Sequence, residues 1–124
     1  MDEEVAELRR HFQAARTPQD YRNVGNDCVT VLERISEAAY RAERHLREDE
    51  DEPPVSNTKQ RLDRVVEVEL EGSSNAELRK LVRAAIEQSQ AVKHRTSNRR
   101  HAGIAADSVI LLANIMRRLA EPEG

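Results

Sequence analysis

Nine residues near the end of the chain, KHRTSNRRH (93–101), hold four cations and two histidines, and no acidic residue occurs between Glu87 and Asp107. Lys93 and His94 suit the end of one helix, where cations meet the negative pole of the helix dipole. Arg99, Arg100 and His101 fall at the start of the next helix, where positive charge is disfavoured, and a bound anion would offset that cost. Ser97 or Asn98 can cap this helix and leave backbone N–H groups directed outward. Arg95 with Arg99 or Arg100 supplies planar donors that match a phosphate. His101, beside arginines and near a positive dipole end, is expected to be neutral at pH 7 and able to move protons.

Arginine to stabilise charge and histidine to transfer protons suffice for metal-free cleavage of RNA through its own 2′-hydroxyl. On this reading Arg95 and His101 are the catalytic pair. Lys93, His94, Asn98, Arg99 and Arg100 hold the RNA phosphates, and no metal or cofactor is expected. A solvated turn whose cations are offset by the EDEDE run at 48–52 would need no ligand at all, and that alternative stays open.

Other reactive side chains have less to offer. His45 and Asp49 have the i, i+4 spacing of a metal pair, but no third ligand stands nearby, so solvated helix surface is expected. His11 has no evident partner. Cys28 falls on an apolar seam and reads as core, while Asp27 and Glu33 beside it read as surface charges.

The elements that must position these residues follow from composition. The 124-residue chain is 38% hydrophobic and 35% charged, with only Phe12, Tyr21 and Tyr40 as aromatics and with few glycines and prolines. A core of Leu, Val, Ile and Ala, set among Glu and Arg, favours helices. The length suits one helical domain, 1–124, with an acidic linker at 48–56 and a frayed tail at 121–124. A net charge of −3 excludes a protein that coats nucleic acid with its whole surface, so an anion site has to be local. A single cysteine excludes an intrachain disulfide. The acidic opening MDEEVAELRR is unlike a signal peptide, and no apolar run is long enough for a membrane span. A cytoplasmic protein without membrane association is expected.

Val5, Leu8 and Phe12 predict a first helix over 2–15. Thr17, Pro18 and Asp20 form a strong start for a second. Its seam of Tyr21, Val24, Cys28, Val31, Leu32, Ile35, Ala39, Ala42 and Leu46 predicts a helix of about 30 residues, ended by EDEDE and Pro53–Pro54. A third helix is expected from Asn57, capped through Gln60. A fourth follows a Ser74–Glu77 capping box, and a last one spans 101–120. The run VILLANIM (109–116) is apolar nearly all round, which predicts an element surrounded by the others. The architecture expected is an all-α, up-and-down bundle of four to five helices, with the long second and apolar last helices as its spine.

Two stretches, TPQDYRNVGNDCVTVLERISEAAY (17–40) and LRKLVRAAIEQSQAVKHRTSNRRHAGIAADSVILLANIMRRL (78–119), resemble the HEPN superfamily, in particular the C-terminal helical domain of abortive-infection proteins. That resemblance is one of pattern over about half the chain. It implies a helical bundle, often dimeric, of the kind that serves as a metal-independent ribonuclease in defence or toxin systems. The family's motif is an arginine, four to six residues and a histidine, which Arg95 and His101 match with five between. Thr96 stands where the family commonly has asparagine, aspartate or histidine. The active site would lie across a dimer interface. Members that have lost activity act as partner-binding modules, so a non-catalytic interaction or dimerisation module is the alternative reading.

Overall fold

The computed structural model of the chain describes residues 1–91 and 98–122. Its α-helices are α1 (Asp2–Ala14), α2 (Pro18–Ala39), α3 (Ala42–His45), α4 (Thr58–Glu69), α5 (Ala76–Ala91) and α6 (Arg99–Leu119), with a 3-10 turn at Ser73–Asn75. The fold is all-α, and no strand occurs among the described residues. Five of the helices are the elements expected from the apolar periodicity, and α3 is a single turn.

Local capping signals set the starts of α2, α4 and α6. The Thr17 hydroxyl accepts from the Asp20 backbone N–H while the Asp20 carboxylate accepts from that of Thr17, a reciprocal cap with Pro18 in the first helical position. Asn57 caps α4 by accepting from the Gln60 N–H at 3.3 Å. The box expected from Ser74 and Glu77 does not form. The chain instead turns through Gly72, whose φ of 91° lies in the left-handed region that favours glycine, and the 3-10 turn feeds directly into α5.

The seam of α2 is interrupted where the sequence predicted continuity. Tyr40 (φ −80°, ψ 131°) and Arg41 (φ −136°, ψ 123°) are extended, so the helix ends at Ala39 and not beyond Leu46. One long-range contact and one local contact hold the break. The Tyr40 ring is buried beneath the Arg61 guanidinium, 4.5 Å from its centroid. The Arg41 backbone N–H, which lies outside the helical hydrogen-bond ladder, donates to Nδ1 of His45 at 2.9 Å.

The core is one cluster, built chiefly from Leu8, Val24, Cys28, Val31, Leu32, Ile35, Leu62, Val66, Val82, Ala105, Val109 and Leu112. Cys28 is fully buried there, and burial, followed by the Asp27 charge, pushes its thiol up to about 12. Helices α2 and α6 pack most extensively on each other, as expected of the spine. Helix α6 also packs on α1 and α5 but is not enclosed, since Ile104 and Leu111 stay exposed on its outer face, as does Leu81 on α5. An ion pair between Asp2 and Arg117 at one end, and packing of Phe12 on Gly103 at the other, set α1 antiparallel to α6.

The acidic segment after α3 is held to α4. Glu50 and Arg64 pair at 2.7 Å with both side chains largely covered, and Arg61 donates to the carbonyls of Pro53 and Pro54. The Arg64 hydrogen bonds lower the Glu50 carboxyl to about 2. Glu50 and Glu52 therefore neutralise Arg64 and Arg61 on α4.

Candidate functional site

Lys93, His94 and Arg95, with Thr96 and Ser97, lie outside the described residues. The other four candidates, Asn98, Arg99, Arg100 and His101, come together in the first turn of α6.

Asn98 is the cap. Its Oδ1 accepts from the His101 backbone N–H at 2.9 Å, which fixes the orientation of the amide. Its Nδ2 then faces the imidazole Nδ1 at 3.1 Å. An amide nitrogen only donates, so Nδ1 accepts and the ring proton sits on Nε2. In this arrangement His101 is a neutral imidazole that presents a donor to its surroundings.

Arg99 lies over the Phe12 ring, 4.8 Å from guanidinium carbon to centroid. Gly103 allows that packing, because a Cβ there would stand 3.1 Å from Phe12 Cζ. Arg100 projects into solvent. Among the described residues neither Arg99 nor Arg100 has a carboxylate within ion-pair distance, a condition shared with Arg9, Arg16, Arg22, Arg41 and Arg79, whereas Arg34, Arg44, Arg47, Arg61, Arg64, Arg117 and Arg118 each have one. The first turn of α6 contains no acidic residue. Its outward groups are all donors: the N–H groups of Arg99 and Arg100, two guanidinium groups and the His101 Nε2–H. Such a surface is suited to phosphate oxygens.

The same geometry bears on catalysis. A base needs a free lone pair, and the one on Nδ1 is taken by Asn98. A proton donor of useful acidity is an imidazolium, which would place a second N–H on Nδ1 against the Asn98 amide. As held here, the ring is better placed to donate a hydrogen bond than to transfer a proton.

Two histidines have partners that the sequence did not reveal. His11 Nδ1 meets Asp27 Oδ2 at 2.5 Å across the α1–α2 contact, in a cleft of about 430 Å3 that also includes Asp20, Asn23 and Asn26. Asp27 is therefore a histidine partner and not an isolated surface charge. His45, expected on solvated surface, is 4% exposed and bonds through Nε2 to Glu69 at 3.0 Å. Neither pair could be read from periodicity, because each joins side chains from different helices. No group of three metal-ligating side chains occurs among the described residues, and no described helix is long and apolar enough to cross a membrane.

Compared with known proteins, this chain matches no family model, no curated protein and no solved structure. The class its fold defines is an all-α helical bundle.

Proposed function

We propose that the protein is a helical RNA-binding module of HEPN-like type that takes a backbone phosphate at the start of α6. The observation that carries this reading is the set of donors around Asn98–His101, with no carboxylate partner among the described residues. A phosphate oxygen can accept from the Nε2–H of His101, while Arg100 and the free N–H groups of the first turn supply the remaining contacts. Arg99, stacked on Phe12, contributes charge from a fixed position. Arg95 is the charge-stabilising partner assigned by the sequence pattern.

Metal-independent cleavage is the catalytic extension of this reading. The 2′-oxygen would bond to phosphorus while the bond to the 5′-oxygen breaks, leaving a 2′,3′-cyclic phosphate. One proton leaves the 2′-hydroxyl and one reaches the 5′-oxygen. For His101 to carry either, Asn98 has to release Nδ1, so binding is the better-supported function.

Anisotropy of a labelled single-stranded RNA tests the proposal. The Arg99→Gln/Arg100→Gln variant should bind at least tenfold more weakly, with a shallower salt dependence, since each lost phosphate contact reduces the slope by about 1. Equal affinity of variant and parent would refute the site. Incubation of the same RNA in EDTA, with the product ends identified by mass, tests for cleavage.

A second reading, as a protein-interaction or dimerisation module, has its own observation. Leu81, Ile104 and Leu111 are 41–47% exposed on the outer faces of α5 and α6. Light scattering on the parent and on Ile104→Glu/Leu111→Glu tests it. A complex that the substitutions dissociate supports this reading, and a monomer in both refutes a self-association role for this face.

A further inference from the structure

The opposite end of the bundle contains a cavity of about 320 Å3 between the ends of α2, α4 and α6 and the turn α3. It lies about 25 Å along α6 from His101, at 1.5 Å per residue. Its apolar wall is Ala38, Ala39, Val65, Met116 and Leu119, and its polar wall is Arg41, Arg44, His45 and Glu69.

The side-chain acceptors on the polar wall are already engaged. Glu69 Oε2 accepts from Arg44 Nε and from His45 Nε2, and Oε1 accepts from Arg44 Nη2 at 3.2 Å. His45 Nδ1 accepts from the Arg41 backbone N–H at 2.9 Å. The donors are not used up. The Arg41 guanidinium has no hydrogen-bond or ion-pair partner among the described residues, and Arg44 keeps Nη1 unengaged. The side chains of the wall sum to two guanidinium charges, one carboxylate and a neutral imidazole, an excess of one positive charge.

The wall is also built at some cost. The helix is interrupted at Tyr40–Arg41 within a seam that continues to Leu46, and a histidine is buried to 4% exposure to hold the interruption closed. The result is to place Arg41 at the rim with its side chain unoccupied. The volume is at the small end of the roughly 300–1,000 Å3 range of ligand sites.

We infer that this cavity binds a small monocarboxylate with an apolar tail, the carboxylate on Arg41 and the tail against Ala39, Val65, Met116 and Leu119. A ligand with donors only would find no free side-chain acceptor, and a polyanion would exceed the charge available. This site is independent of the phosphate contact at the start of α6.

The test is a titration of the full chain with sodium octanoate, followed by amide 1H–15N shifts. Saturable shifts centred on Ala39, Arg41, His45 and Leu119 are expected, with a dissociation constant on the order of 0.1–1 mM for so small a ligand. Octylammonium should lack the charge match and acetate the tail, so neither should saturate over the same range. Arg41→Gln, which keeps the backbone N–H that holds His45, should weaken octanoate at least tenfold, and Arg22→Gln on the distant start of α2 should not. Absence of saturation by octanoate, equal binding of octylammonium, or an unchanged affinity in Arg41→Gln would each overturn the proposal.

Discussion

Replacing Asn98 separates its two roles. Asn98→Ala removes both the cap and the hydrogen bond to the ring, whereas Asn98→Asp keeps an acceptor for the His101 N–H and exchanges the ring's donor for a carboxylate oxygen. Loss of the cap costs about 1 kcal/mol, which for a domain of this size lowers Tm by about 3–6 °C. Aspartate caps as well as asparagine does and adds about 0.3–1 kcal/mol from the helix dipole. The two variants should therefore differ by roughly 1–2 kcal/mol in urea denaturation, with Asn98→Asp at least as stable as the parent. At the ring the order reverses. A carboxylate only accepts, so a proton must stand on Nδ1, and in the neutral ring Nε2 then becomes an acceptor. RNA affinity should fall by tenfold or more, about 1.4 kcal/mol, in the more stable variant. Imidazole 15N shifts report the tautomer directly. A parent ring protonated on Nδ1, or an Asn98→Ala variant as stable as the parent, would refute the reasoning.

Three further expectations follow from the packing and charges. Glu50 titrates at about 2 when folded because Arg64 hydrogen-bonds its carboxylate, so its contribution is present above the ordinary range near 4.5 and lost as pH falls towards 2. Acid unfolding of Glu50→Gln should therefore show a flatter pH dependence between about 4.5 and 2. Cys28, with its thiol raised to about 12 by burial, should resist a thiol reagent at pH 8 in the native state and react at once in denaturant. Rapid native labelling would contradict that burial. His45→Ala should cost about 2–4 kcal/mol, because it leaves the Arg41 N–H without its acceptor, removes one of the donors to Glu69 and opens a hole at the α2–α3 break; urea denaturation measures it, and a loss under 1 kcal/mol would show that the break holds without it.

What could be read in the sequence was what is local. Thr17–Asp20 and Asn57–Gln60, pairs three residues apart, each form the cap expected of them, and of the two caps open for the last helix Asn98 is the one that bonds the His101 N–H, whereas the equally local Ser74–Glu77 box does not form. The periodicity of Val24, Cys28, Val31 and Ile35 likewise gave the buried face of α2 directly. The break at Tyr40 was hidden, because Ala39, Ala42 and Leu46 continue the helical spacing while the interactions that end the helix come from Arg61 and Glu69 on α4. The acidic run was readable as charge but not by its partners, Arg61 and Arg64. At the candidate site the chemical types were evident, whereas the stacking of Arg99 on Phe12 depends on a contact between the two ends of the chain.

The location of the phosphate contact is tested most directly by titrating 15N-labelled protein with a short single-stranded RNA and mapping the amide shifts. The account predicts saturable shifts centred on Arg99, Arg100 and His101, attenuated in Asn98→Asp. Shifts centred on the Arg41–Arg44 end of the bundle, or none at all, would contradict it.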